Sequence, residues 1–326
     1  VTPSWIEPPY DTASDKTTLI CPAKSGEEFT AEDFRELKPE SLLFFRRLKL
    51  IRYPSTEGGR IELTLEKEGN THKIKKNNNE LSSQQILFYK VFETKLTMGI
   101  KRDENEDQHD RAISETPIIF VFKISEDGQV DTSANSLFNY LPIKDIGLNF
   151  TLQADILMTA SREDIKKSSN WNKKIVSEIP ELFIQKILPQ IKEDPQINKI
   201  FYGYLNALRP DSFFEEMSLN IVDKLKEEEC ILSEGGRWCK PDNLLMRDRI
   251  PRLLISNQEL LTLLNMEFIS SEIPDETRDF LEKKLNVKKF GWYDLLDCLK
   301  SGQLAQSHQA DDNWFKRLFR AIKSFD

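Results

Sequence analysis

The residues best placed to do chemistry lie in one stretch: Phe138-Asn139-Tyr140-Leu141-Pro142-Ile143, Gly147 to Asp155, Thr159 to Ile165, and Trp171-Asn172. A strand ends there in small residues, and Arg162 stands just ahead of a helix start. A guanidinium is planar, forked and permanently charged. At such a junction it can reach a ligand on a neighbouring domain and meet the spreading charge of a phosphoryl group. The same spacing admits a plainer arrangement, in which Ser161 caps the helix and Arg162 pairs with Asp155 or Glu163.

Other familiar chemistries lack their residues. There is no G-x-S-x-G, no H-E-x-x-H and no glycine-rich phosphate loop. Cys21, Cys230, Cys239 and Cys298 form no C-x-x-C pair, and His72, His109 and His308 are scattered, so no metal ligand is assigned. Four cysteines in 326 residues read as reduced, buried thiols, the usage of a cytoplasmic or nuclear protein. Asp311-Asp312-Asn313 would suit a cation, but acidic residues opening a helix also serve capping and the helix dipole. Glu215-Glu216 and Glu227-Glu228-Glu229 read as solvated faces.

The elements that must position Arg162 divide the chain by texture. Residues 1–37 are Pro-rich and polar, with one short apolar strand around Leu19-Ile20, and Thr30 with Asp33 fits a helix start. Residues 38–168 read as a mixed α/β domain. Ile61, Leu63 and Leu65 alternate with Glu62, Thr64 and Glu66, and Glu68-Gly69-Asn70-Thr71 turns the chain into a hairpin. Ile86 to Phe92 and Ile118 to Phe122 suit buried strands, and the charged run Lys101 to Arg111 between them suits a solvated loop.

Residues 169–326 read as mainly helical. Ile175, Ile179, Phe183, Ile187 and Ile191 follow helical spacing that Pro180 and Pro189 should break or kink. Asp194-Pro195 and Asp211 offer helix starts, and Ser256 with Glu259 a capping box. Cys230 to Leu232 and Trp238-Cys239, around Gly235-Gly236, predict a small hairpin. The last helix carries Trp314, Phe315, Leu318, Phe319 and Ile322, a stripe of the kind that fills a core or domain interface. The fold class expected is therefore α+β: a mixed sheet-and-helix domain, then a mainly helical region with a small β-hairpin.

Composition narrows the partners. The formal net charge is −8, with 39% hydrophobic and 31% charged residues, which suits a soluble globular chain. Apolar runs such as Ile118 to Phe122 are far too short to cross a bilayer. The acidic balance argues against a general phosphate-backbone binder, so neither membrane nor nucleic acid is expected.

The stretch around Arg162 resembles the segment that follows the ATP-binding domain in sacsin-type and plant NO VEIN-type proteins. These carry a Bergerat-fold (GHKL) ATPase module similar to that of the ninety-kilodalton heat-shock chaperones. The resemblance rests on Phe138 to Pro142, Gly147, Phe150, Gln153 to Asp155, Ser161-Arg162-Glu163-Asp164-Ile165 and Trp171-Asn172. It implies that Arg162 contacts the ATP γ-phosphate as the catalytic residue, in a Ser-Arg-Glu turn like that of the chaperone middle domain. Where the chaperones carry a glutamine four residues on, this chain has Lys166.

Thr17 to Lys24 looks like the last strand of the ATP-binding domain, which adds Thr17 and Thr18 as nucleotide-binding residues. The region around Cys230-Ile231-Leu232, Gly236-Arg237-Trp238, Pro241 and Asn243-Leu244-Leu245 looks like the family's helical part. The magnesium-holding Glu…Asn helix, the Asp-x-Gly-x-Gly segment and the lid are not found. ATP and Mg are accordingly expected on an upstream ATP-binding domain, with none held by this chain alone. Val1-Thr2-Pro3-Ser4-Trp5, without initiator Met, fits that expectation of a fragment. Protein clients are the expected partners and self-association is left open. The alternative reading is a non-enzymatic scaffold or protein-interaction module that kept the fold without ATPase activity.

Overall fold

A computed structural model describes residues 30–34, 37–80, 83–100, 115–160, 164–206, 211–248 and 254–323. Thr17, Thr18, Arg162 and the charged run 101–111 lie outside the described residues. The chain is α+β, as the alternating and helical spacings predict. A short 3-10 turn at Ala31–Phe34 and helix α1 (Ser41–Phe44) precede the strands β1 (Leu50–Pro54), β2 (Arg60–Glu68), β3 (Thr71–Asn78), β4 (Ser83–Thr97) and β5 (Glu115–Ile124). Then come β6 (Val130–Asp131), β7 (Ser136–Asn139), β8 (Leu141–Asp145) and β9 (Thr151–Ala154). Among the described residues these form one nine-stranded sheet ordered β1-β2-β3-β4-β5-β9-β7-β8, with β6 beside β5. Neighbours are antiparallel except β7 and β9, which run parallel.

The unbroken apolar run Ile118 to Phe122 follows from the covering of both sheet faces. Ile118, Phe120 and Phe122 enter the largest core cluster with Phe92 and Leu96 of β4. Ile119 and Val121 point the other way, toward Leu42, Leu43 and Phe44 of α1 and Leu87 and Tyr89 of β4. Strand period two thus divides β4 and β5 between two cores.

The helical covering of the first face begins with α2 (Asn170–Leu182), a π-helical turn at Phe183–Ile187 and α3 (Leu188–Glu193). The expected break at Pro180 takes a milder form. Pro180 stays inside α2, and the run widens into the π turn rather than ending. Helix α4 (Tyr202–Leu205) and α5 (Ser212–Lys226) follow. Asp211 caps α5 as expected, its carboxylate accepting the Phe213 N–H at 3.0 Å. Asp194 opens a series of turns rather than a long helix: its Oδ1 caps them by accepting the Gln196 N–H at 3.0 Å, while its Oδ2 meets Lys90 at 2.7 Å. Trp171, Ile175, Ile179, Phe183, Met217 and Ile221 pack in the same cluster as Phe120 and Phe122.

The predicted small hairpin is present as β10 (Ile231–Leu232) and β11 (Trp238–Cys239). Beyond it stands an arrangement the sequence reading did not anticipate. Strands β12 (Leu244–Arg247), β13 (Glu267–Phe268) and β14 (Lys288–Phe290) form a parallel sheet ordered β13-β12-β14. Helix α6 (Asn257–Leu264) crosses from β12 to β13, and α7 (Arg278–Lys283) leads on to β14. Helices α8 (Trp292–Lys300), α9 (Gln303–Ser307) and α10 (Asp312–Lys323) close a separate cluster around Leu254, Phe268, Phe290 and Trp314. The Ser256–Glu259 capping box is formed as read.

Candidate functional site

The segment that carries the expected phosphate contact leaves the sheet after β9. Met158 pairs antiparallel with Ile165 as an isolated bridge. The Thr159 N–H donates to the Asp164 carbonyl at 2.8 Å, and the Lys166 N–H to the Leu157 carbonyl at 3.0 Å. Residues 157–159 and 164–166 are therefore two arms held side by side. Ser161, Arg162 and Glu163 lie outside the described residues, so the geometry in hand is that of the base.

That base is fixed from below by the dipeptide Trp171-Asn172 in the first turn of α2. Trp171, 1% exposed, donates its indole Nε1–H to the Asp155 carbonyl at 2.8 Å. Asn172 is fully buried and spans both arms. Its Oδ1 accepts the Leu157 N–H at 2.8 Å, and its Nδ2 donates to the carbonyls of Leu157 at 2.8 Å and Lys166 at 3.0 Å. Helix α2 itself starts at Asn170 behind Ser169.

The edge of the sheet supplies a second tie. Tyr140, at the tight link between β7 and β8, has φ of 59°, a conformation that costs a bulky residue energy. The carboxamide of Gln153, 1% exposed, holds it there, Oε1 accepting the Tyr140 N–H at 2.7 Å. Next to it, Asn139 donates its Nδ2–H to the Ile156 carbonyl at 3.0 Å. Gly147, with φ of 77°, turns the chain behind β8 and donates its N–H to Asp145. Phe150 packs against Phe120 and Phe122. Of the residues that carry the family resemblance, Asn139, Trp171 and Asn172 therefore bond the backbone at this hairpin base.

Charge ties the same base to α5. Lys144 Nζ lies 2.8 Å from Asp164 and 3.4 Å from Asp211, and Lys167 Nζ lies 3.0 Å from Asp211. The Phe213 backbone N–H, then Lys167 and Lys144, hold the Asp211 carboxyl down at about 2. The Lys144 hydrogen bond likewise lowers Asp164, and Asp164 raises Lys144. These pairings link residues far apart in the chain, and no local spacing in the sequence announces them.

The described residues do not by themselves fit a nucleotide and its magnesium. The lysines and aspartates around the base are already matched to one another, and no group of three or more His, Cys, Asp or Glu side chains among the described residues is placed to hold a metal. Asp311, the sequence's other cation candidate, works as a helix cap, accepting the N–H groups of Asn313 and Trp314 at 3.0 Å each. Burial pushes the Cys230 thiol up to about 12, and burial and then Glu267 raise Cys239. A cleft of about 690 Å³ lies between the β2–β5 strands and the Pro195–Ile200 turn. Of its three lysines, Lys90 is held by Asp194 and Thr71 and Lys199 by Glu272, while Lys73 lies 5.9 Å from the centre of the Phe88 ring.

No known family profile matches the chain, and no solved structure does. Protein NO VEIN of Arabidopsis thaliana is 28% identical to it over 284 residues, covering 82% of this chain and 10% of that protein. The chain thus spans about a tenth of the length of the curated relative it matches, and over that span it is a distant, NO VEIN-like sequence.

Proposed function

We propose that this chain is the middle and helical portion of a NO VEIN-like, chaperone-type GHKL ATPase, and that it turns the nucleotide state of an upstream ATP-binding domain into domain rearrangement. In this reading Arg162 contacts the γ-phosphate, and ATP and Mg are bound by the upstream domain, with Thr17 and Thr18 at its last strand. The observation that supports it is the clamp on the hairpin base. A fully buried Asn172 and Trp171 spend four side-chain hydrogen bonds on Asp155, Leu157 and Lys166, and Arg162 lies between the two arms in sequence. An arginine that must meet a developing phosphoryl charge benefits from a base that does not move. Protein clients and a cytoplasmic or nuclear setting belong to the same proposal.

The test is ATP turnover by the full-length protein with its ATP-binding domain, with and without Arg162→Ala. The expected loss is about 10³-fold. Undiminished hydrolysis overturns the role given to Arg162. A second reading, a scaffold that kept the fold and lost the chemistry, draws on the mutual pairing of Lys144, Asp164, Lys167 and Asp211 and on Lys166 at the glutamine position. It requires that the full-length protein bind no ATP, so equilibrium nucleotide binding separates the two.

A further inference from the structure

Helix α10 is pinned along one side and bare along the other. Trp314, 1% exposed, donates its indole N–H to the Leu254 carbonyl at 3.0 Å and stacks on His308 with ring centroids 4.4 Å apart. Leu318 and Ala321 pack into the same cluster. At about 100° per residue, Phe315, Phe319 and Ile322 fall on the adjoining face, spaced i, i+4 and i+7. They are 42%, 62% and 42% exposed. Lys316, Arg320 and Lys323 come next around the helix, and Lys323 Nζ sits 5.0 Å from the centre of the Phe319 ring. Among the described residues, the outward half of α10 is thus an apolar stripe beside a basic stripe. The helix carries Lys316, Arg317, Arg320 and Lys323 against Asp312 alone, in a chain of net charge −8.

We propose that this surface docks an acidic amphipathic helix of a partner protein. The partner's apolar face would cover Phe315, Phe319 and Ile322, and its carboxylates would meet Lys316, Arg320 and Lys323. Twelve residues of α10 give about 18 Å of helix, room for some three turns of a partner laid alongside. Charge decides among the occupants. A second copy of the chain would bring the same cations to the contact. A bilayer-bound helix places cations on both flanks of its apolar face, whereas here the other flank is closed by Trp314, Leu318 and Ala321. An acidic helix complements both stripes at once.

The test uses the whole 326-residue chain as bait for a displayed library of helical peptides, followed by fluorescence anisotropy on the enriched sequences. The expected winners carry an apolar i, i+4, i+7 stripe with Glu or Asp on one flank. They should lose at least about tenfold in affinity on Phe319→Asp. The triple change Lys316→Glu, Arg320→Glu and Lys323→Glu should invert the preference toward peptides with Lys on that flank. Unchanged melting temperature controls for folding, and Phe319→Gln with Ile322→Gln replaces any variant that fails it. The proposal is overturned by no enrichment, by winners without an acidic bias, by winners indifferent to Phe319→Asp, or by capture on phosphatidylserine vesicles instead.

Discussion

The side chain of Asn172 acts toward Leu157 as a neighbouring strand would, accepting its N–H and donating to its carbonyl at 2.8 Å each. A carboxamide carries a donor and an acceptor side by side, so it can take up the Leu157 N–H and add a second donor to the carbonyl that the Lys166 N–H already meets. The site is fully buried, so nothing from solvent replaces what is removed.

Asn172→Ala is therefore expected to cost about 3 kcal/mol, because it strands the Leu157 N–H and the Lys166 carbonyl and leaves the Leu157 carbonyl with the Lys166 N–H as its remaining donor. Urea denaturation measures the loss, and hydrogen exchange at the Leu157 amide locates it. Asn172→Asp keeps the acceptor, loses both donations and buries a charge, so it should do no better. A Leu157 amide that stays as protected as in the parent protein would remove the clamp from the account.

Lys90 and Asp194 join β4 to the turn after α3 with side chains only 5% and 12% exposed. Burying two charges is costly, and removing one leaves the other uncompensated. Lys90→Met and Asp194→Leu are each expected to destabilise by about 3–5 kcal/mol, and the double change by much less than the sum. A double-mutant cycle in urea reads the coupling. Simple additivity would mean that the pair is not interacting in solution.

The hairpin of β2 and β3 and the capping box at Ser256 are legible in the sequence because each is written within a few residues. The alternation at Ile61, Leu63 and Leu65 is a period, and Ser256 with Glu259 is a spacing. Asp194 shows the limit. Asp194-Pro195 is a good local helix start and Asp194 does cap the turn that follows, yet its second carboxylate oxygen is held by Lys90 on a strand far upstream, which no local spacing announces. The parallel sheet β12-β13-β14 escapes for another reason. Its strands are two to four residues long, too short to show a period, and only the crossings through α6 and α7 bring them together. In α10 the apolar spacing is legible, but not which residues find a core: Trp314 does, and Phe319 does not. For the candidate site, the stretch from Phe138 to Asn172 is readable as a unit, while its division of labour is not. Gln153, Trp171 and Asn172 prove to be braces, each known only by the distant backbone group it holds.

His72 links stability to pH. It stands on β3 directly across from Tyr89 and is 7% exposed. Burial, and next the charge of Lys67, lower its pKa to about 4, while the hydrogen bond that the imidazole donates to the Gly69 backbone pulls the other way. The folded state therefore holds His72 neutral, and the unfolded chain takes up its proton first as pH falls below about 6.5. The contribution is fully present above that pH and is lost progressively down to about pH 4, roughly 3 kcal/mol in all. His72→Gln should flatten this part of the acid slope in urea midpoints measured from pH 7 to pH 4. A slope identical to the parent's would assign the acid sensitivity elsewhere.

Gly235 and Gly236 read alike in the sequence, as the two residues of a hairpin turn, but the structure asks different things of them. A Cβ on Gly235 would run into the Glu267 carboxylate. That carboxylate is 3% exposed and cannot swing aside, because Arg237 Nε at 2.8 Å and Asn257 Nδ2 at 2.9 Å both hold it. Gly236 has open space around it and only a φ of 78° to justify it. Gly235→Ala is thus an overpacking change against a fixed group and is expected to cost about 2–3 kcal/mol. Gly236→Ala pays only for the left-handed backbone, about 1 kcal/mol. Melting curves of the two variants should rank Gly235→Ala the lower. Adding Glu267→Gln, which removes the charge but not the bulk, should leave the Gly235→Ala penalty in place, since the collision is steric.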